Sequence, residues 1–88
     1  MRVTLKETVV WADVEGELVL LEPESGAYYA LNETGADVWR QLAAGPAAER
    51  ELLDRLVGGY AVEPSVAAAD LRRLLVELEA SGLVTVEP

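Results

Sequence analysis

The chain of 88 residues contains no histidine, no cysteine and only one lysine, Lys6. These absences remove most of the side chains that serve as general bases, nucleophiles and metal ligands. The lack of cysteine also excludes disulfide and thiolate chemistry, and in a chain this small it favours a cytoplasmic location. The sequence therefore predicts a protein with no catalytic residues, no cofactor and no metal site.

Long hydrophobic runs are also missing. Among the longest uninterrupted stretches are the four residues from Leu18 to Leu21, far fewer than the ~20 that a membrane-spanning helix needs. The first residues include Arg2, Lys6 and Glu7, so they do not form the apolar segment of a signal peptide. We expect a cytoplasmic protein that does not bind membranes, with a single domain over residues 1–88.

Basic residues are scarce as well. The chain has 16 acidic against 7 basic side chains, a formal net charge of −9, which disfavours nucleic acid as a partner because affinity for phosphates comes mainly from Lys and Arg. The acidity is explained by solubility or by attraction to a basic peptide. Acidic pairs such as Glu22 and Glu24 lie in no apolar stretch that would raise their pKa, and are interpreted as solvated surface charge.

Three segments of the amino-terminal half have the composition of β-strands. Residues 3–11 alternate imperfectly and predict a frayed first strand, whereas the four central apolar residues of Glu17–Glu22 favour a strand covered on both faces. Ala27–Leu31 predicts a third strand. Turn-forming residues at 13–16 and 22–26 separate the three segments. The pattern predicts a three-stranded antiparallel meander.

From Asn32 onward the apolar period changes to about 3.6 residues, which indicates helices. Asn32 is suited to cap a first helix that stops near Gly45 and Pro46. A second helix is predicted over residues 47–57, ended by two glycines, and a third from Pro64 to the region before Gly82. A short extended segment, residues 83–86, follows. The predicted fold class is α+β, a winged helix-turn-helix-like domain in which three helices follow the meander.

The aromatic residues and the flanks of the third helix leave several interpretations open. Trp39 belongs to the apolar stripe of the first helix, as a core residue or as a ligand platform, and Trp11 suits either a core or an interface. Tyr29 and Leu31 share one face of their strand, so Tyr28 is predicted to be the more exposed ring. At about 100° per residue, one flank of the third helix carries Val66, Asp70, Arg73 and Glu77, and the opposite flank carries Arg72, Val76 and Glu79.

The segment from Ser25 to Trp39, SGAYYALNETGADVW, resembles the PqqD-like family of leader-peptide recognition domains, and the resemblance extends over nearly the whole chain. It implies that the leader of a ribosomally made precursor adds as a strand beside the third strand, in a cleft against the third helix. The implied peptide-binding residues are Ala27, Tyr28, Tyr29, Ala30, Leu31, Val66, Asp70, Arg73, Leu74 and Glu77.

Among family members, this chain is most similar to the small recognition proteins of lasso peptide clusters. The resemblance implies a non-catalytic adaptor that delivers the precursor to a leader protease and a macrolactam-forming cyclase. The alternatives are a PqqD-type peptide chaperone of quinone-cofactor synthesis, a recognition domain of another modified-peptide pathway, a winged-helix transcription regulator and a structural subunit of a larger enzyme.

Overall fold

A computed structural model describes all of residues 1–88. It contains two three-stranded antiparallel sheets and three helices. The strands are β1 (Arg2–Leu5), β2 (Val10–Val14), β3 (Glu17–Glu22), β4 (Ala27–Leu31), β5 (Ala47–Ala48) and β6 (Val84–Glu87). The helices are α1 (Glu33–Ala44), α2 (Glu49–Gly59) and α3 (Pro64–Ala80). The α+β class and the three helices are confirmed, while the winged helix-turn-helix arrangement stays a prediction.

The first predicted strand, residues 3–11, is wrong as a single element. The chain turns after Leu5, where the Val9 N–H donates to the Lys6 carbonyl at 3.2 Å and the Lys6 N–H donates to the Leu83 carbonyl at 3.1 Å. These bonds end β1 and separate it from β2. The meander is therefore β2-β3-β4, and β1 belongs to the other sheet, in the order β5-β1-β6.

A two-residue turn joins β2 to β3. Glu15 has φ 50° and Gly16 has φ 86°, and positive φ at both central residues is the mark of a type I′ turn, whose twist matches that of a hairpin. Strand β2 consequently continues through Asp13 and Val14, which were predicted to be part of the turn. The loop between β3 and β4 follows the prediction, and the Gly26 N–H donates to the Glu22 carbonyl at 2.8 Å.

The sheet β5-β1-β6 collects strands from three distant parts of the chain. Val3 lies opposite Ala47 on one side and Val86 on the other. The prediction that the second helix begins at residue 47 is wrong, because Ala47–Ala48 pairs with β1. Helix α2 begins at Glu49, and at its start the Ala48 N–H donates a hydrogen bond to the Glu51 carboxylate at 3.1 Å.

A hydrophobic core fills the space between the helices and the inner faces of the sheets. Its fully buried side chains include Trp39, Leu42, Leu52 and Leu78, which confirms the core interpretation of Trp39. Leu74 is only partly buried and packs against the edge of this core. No helix is both long and apolar enough to cross a membrane.

The outer face of the sheet β2-β3-β4 is apolar and open to solvent. Val10, Leu21 and Tyr28 lie opposite one another in a row across the three strands, and each is at least 41% exposed. The next row consists of Ala12, Val19 and Ala30. No other element covers this face, so the sheet packs on the core through one side only. The prediction that Glu17–Glu22 is covered on both faces is therefore wrong.

Glu22 contradicts the prediction of a solvated carboxylate, because its side chain is completely buried. It is the last residue of β3 and lies on the same inward face as Leu18 and Leu20. Its oxygens accept hydrogen bonds from the Thr8 hydroxyl at 3.0 Å and the Glu24 N–H at 3.2 Å. Lys6 Nζ lies 3.8 Å away. Burial by itself would raise the pKa of Glu22, but these donors outweigh it and hold the pKa below its ordinary value of 4.5.

Candidate functional site

A cleft of about 320 Å³ separates β4 from α3. One wall consists of Tyr29, Ala30 and Leu31, the last three residues of β4. The opposite wall is α3, which contributes Asp70, Arg73, Leu74 and Glu77. The side chains of Val38, Leu56 and Leu71 also line the cleft and belong to the three helices. The cleft thus combines apolar surface with charged groups on one wall.

Seven of the ten sequence-predicted site residues line this cleft, and three do not. Ala27 and Tyr28 lie on β4 outside it, and the Tyr28 ring is 65% exposed on the outer face of the sheet. Val66 lies one helical turn before Asp70 and is also exposed. The flank of α3 chosen from the sequence does face β4 through its other three residues. That these residues bind a peptide stays a prediction.

The start of α1 also belongs to the cleft, which was not predicted from the sequence. Asn32 was recognised as the helix cap, and its Oδ1 accepts hydrogen bonds from the Gly35 N–H and the Thr34 hydroxyl at 3.0 Å each. All three residues also line the cleft. A Cβ atom on Gly35 would lie 3.2 Å from Leu31 Cδ2, so a glycine lets α1 begin directly against the end of β4. In the sequence, the glycine three residues after the cap was the available signal that α1 begins in close contact with β4.

The hydrogen-bond register of the meander follows from its tight turn. In a two-residue hairpin the residues that flank the turn, here Val14 and Glu17, form a hydrogen-bonded pair. Because hydrogen-bonded and non-hydrogen-bonded pairs alternate, the backbone groups of Leu18 and Leu20 point from β3 toward β4. Their partners on β4 are Leu31 and Tyr29.

Strand β4 consequently has a free edge. The N–H and C=O groups of Tyr28 and Ala30 point away from β3, on the side where no strand of the chain lies. Unpaired strand edges are templates for pairing with another extended segment. The free edge runs beside the cleft, because Ala30 belongs to both.

Polar groups connect the two walls. The Tyr29 hydroxyl donates a hydrogen bond to Oε2 of Glu77. This bond, partial burial and the negative charge of Glu77 raise the pKa of Tyr29 above its ordinary value of 10.0. One turn earlier on α3, the Arg73 guanidinium pairs with Asp70. The cleft wall is therefore charged, with one ion pair and one carboxylate held by a phenol.

A second cavity of about 600 Å³ lies on the other side of α3, against α2 and Met1. Arg72, which the sequence placed on the opposite flank from Arg73, lines this cavity and lies 3.4 Å from the Glu49 carboxylate. The cavity is lined only by helix residues and Met1, so it offers no strand edge. The two flanks of α3 thus face different surroundings.

The cleft has the chemistry of a peptide site. No three side chains of the metal-binding types come together anywhere in the molecule, and the carboxylates of the cleft lie beside an arginine and a tyrosine. An open strand edge next to apolar side chains supplies main-chain hydrogen bonds and pockets for alternate side chains of an extended chain.

Comparisons with known proteins point the same way. The family model described as "Coenzyme PQQ synthesis protein D (PqqD)" matches residues 17–84. The solved structure of TbiB1 in complex with the TbiA(beta) leader peptide is similar over 97% of this chain and 98% of its own, with 28% identity and a TM-score of 0.85. Lasso peptide synthetase B1 complexed with the leader peptide is similar over 96% and 98%, with 27% identity and a TM-score of 0.81. No curated protein matches in a sequence search.

Proposed function

The chain belongs to the PqqD family, and on this premise we propose that it binds the leader segment of a ribosomally made precursor peptide. The pathway is lasso peptide biosynthesis. The observation that carries the proposal is the free edge of β4 beside the cleft, in a chain similar over nearly its full length to two proteins solved with leader peptides.

The leader adds to β4 as an extended strand. Its backbone pairs with the outward N–H and C=O groups of Tyr28 and Ala30, which contribute main-chain hydrogen bonds whatever the leader sequence. Alternate leader side chains enter the cleft against Leu31 and Leu74, while the others face the outer side of the sheet. Affinity then comes from the backbone and selectivity from the cleft.

Bound in this way, the leader is delivered to a separate protease and to a macrolactam-forming cyclase. The chain itself acts as an adaptor, because it contains no histidine or cysteine and the carboxylates of its cleft serve an ion pair and a tyrosine. An adaptor raises the local concentration of the precursor at an enzyme without touching the reacting bonds.

Two measurements test this function. Fluorescence polarisation with a labelled leader peptide is expected to show saturable binding, and the core peptide without its leader is expected not to bind. Mass spectrometry of the precursor is expected to show no change with this chain alone and faster leader removal when the chain is added to the protease. Cleavage or dehydration by the chain alone would contradict the adaptor role.

The description of the matching family favours a second candidate, a peptide chaperone in the synthesis of the quinone cofactor PQQ. The same strand edge would then receive the precursor of that cofactor. Parallel titrations with a lasso leader and with the quinone-cofactor precursor distinguish the two candidates, because the true partner is expected to bind more tightly by tenfold or more, about 1.4 kcal/mol.

A further inference from the structure

Only one charge in the cleft is left without an opposite charge. Asp70, Arg73 and Glu77 are the charged side chains that line it. Arg73 pairs with Asp70, so these two neutralise each other. Glu77 lies one turn beyond Arg73 and forms no ion pair. The net charge that the α3 wall presents to a bound strand is therefore that of the Glu77 carboxylate.

The Glu77 carboxylate is held in place with one oxygen unused. Oε2 accepts the hydrogen bond from Tyr29, whereas Oε1 accepts none. A carboxylate has acceptor capacity for several donors, so Oε1 remains available to a group on the bound peptide. Tyr29 fixes this carboxylate from the strand wall, directly beside the free edge of β4.

The surroundings favour a cation at this position. Residues 7–39, which include β4 and all of its sheet, contain eight acidic and no basic side chains. Three of these carboxylates pair with Lys6, Arg40 or Arg55 from outside the segment, and the other five form no ion pair. A positive side chain approaching β4 therefore meets a negative field. Arg73 is the only basic residue that lines the cleft, and it is already paired with Asp70.

Resting on the proposed function, we infer that Glu77 selects leader peptides carrying a lysine or arginine at the position that faces α3 opposite Tyr29. Tyr29 acts as a positioning residue for that carboxylate. Arg73 contributes no preference for an acidic leader residue, because Asp70 neutralises it.

The test uses the synthetic leader peptide of the precursor and versions in which each lysine or arginine is singly replaced by glutamine. Dissociation constants are measured for wild type and Glu77→Gln. One of these leader replacements is expected to weaken binding to the wild-type protein about fivefold, typical of a partly covered ion pair. The same replacement is expected not to change the affinity for the Glu77→Gln variant. Glu79→Gln, the same change on the opposite flank of α3, is the matched control and should behave as wild type.

Two further variants test whether Glu77 selects the leader by its charge or by packing. Tyr29→Phe keeps the ring but removes the hydroxyl, and is expected to reduce the discrimination between the charged and neutral leaders while uncharged contacts persist. Asp70→Asn releases Arg73 toward Glu77, one turn away, and is expected to reduce the same discrimination.

The binding data distinguish a wrong role for Glu77 from a wrong proposed function. If wild type binds the leader but every replacement affects wild type and Glu77→Gln equally, Glu77 does not read charge. Tight binding of a leader that contains no lysine or arginine would likewise show that Glu77 does not select a positive charge. If folded wild type does not bind the leader, the proposed function itself is wrong, and the inference with it.

Discussion

The two sheets of this protein use the same strand pairing for different purposes. The sheet β2-β3-β4 is built from consecutive strands joined by short loops, and it leaves both outer edges open. The sheet β5-β1-β6 joins the first residues, a two-residue strand between helices and the last strand. The first sheet has free edges and an uncovered apolar face, whereas the second joins the two ends of the chain to its middle.

The largest expected effect is on stability, and it compares a valine in each of the two sheets. Val3 in β1 is fully buried, whereas Val10 in β2 is mostly exposed. Val3→Ala is expected to lower the free energy of unfolding by about 2 kcal/mol, because it removes two buried methyl groups. Val10→Ala should change it by less than about 0.5 kcal/mol. Urea denaturation measures both, and equal losses would contradict the difference in burial between the two positions.

A second substitution tests the open edge. Ala30→Pro removes an N–H that faces away from β3 and is expected to weaken leader binding by about tenfold or more while leaving the ladder to β3 intact. Ala30→Thr keeps the N–H and is the matched control. Circular dichroism confirms that each variant folds before affinity is measured. Unchanged affinity of the proline variant would place the leader elsewhere.

A third prediction concerns pH and the buried carboxylate of Glu22 at the end of β3. The pKa of Glu22 is held below 4.5, so its contribution to stability is present above that value and is lost as the pH falls through the lowered pKa. Glu22→Gln is expected to unfold at lower urea concentration than wild type at neutral pH, and the difference should shrink in acid. Glu24→Gln, two residues away and exposed, should show neither effect.

The smallest expected effect concerns the outer face of the open sheet. Tyr28 contributes backbone groups to the edge, but its ring lies outside the cleft. Tyr28→Ala is therefore expected to weaken leader binding by less than about threefold, because main-chain pairing tolerates side-chain changes. A loss larger than that of Ala30→Pro would mean that the leader contacts the outer face.

The difference between the sheets also explains what the sequence could predict. Strands Glu17–Glu22 and Ala27–Leu31 were predicted with the observed bounds, because turn residues next to apolar runs encode local pairing. The break in the first strand and the pairing of Ala47–Ala48 depend on contacts between distant residues. Two alanines ahead of an apolar helical pattern carry no mark of a strand.

The candidate site, like the fold, was predictable only in part. Helical periodicity divided the exposed part of α3 into two flanks beside its core face. The resemblance to PqqD-like domains, rather than the periodicity, selected the flank that contains Asp70, Arg73 and Glu77. Val38 and Leu56 were missed because apolar residues that line a cleft have the same pattern as core residues. Glu22 was also missed, although the alternation of β3 places its side chain on the inward face of the strand and Glu24 lies in the loop beyond it.

The exposed apolar rows of the open sheet have a consequence for how the protein behaves in concentrated solution. A sheet with two unpaired edges and an uncovered apolar face invites stacking and edge-to-edge polymerisation. Every charged side chain between Lys6 and Arg40 is acidic, so two copies that approach through this sheet repel each other. The negative charge therefore opposes self-association through the free edges of this sheet, and substitutions that neutralise it are expected to promote aggregation.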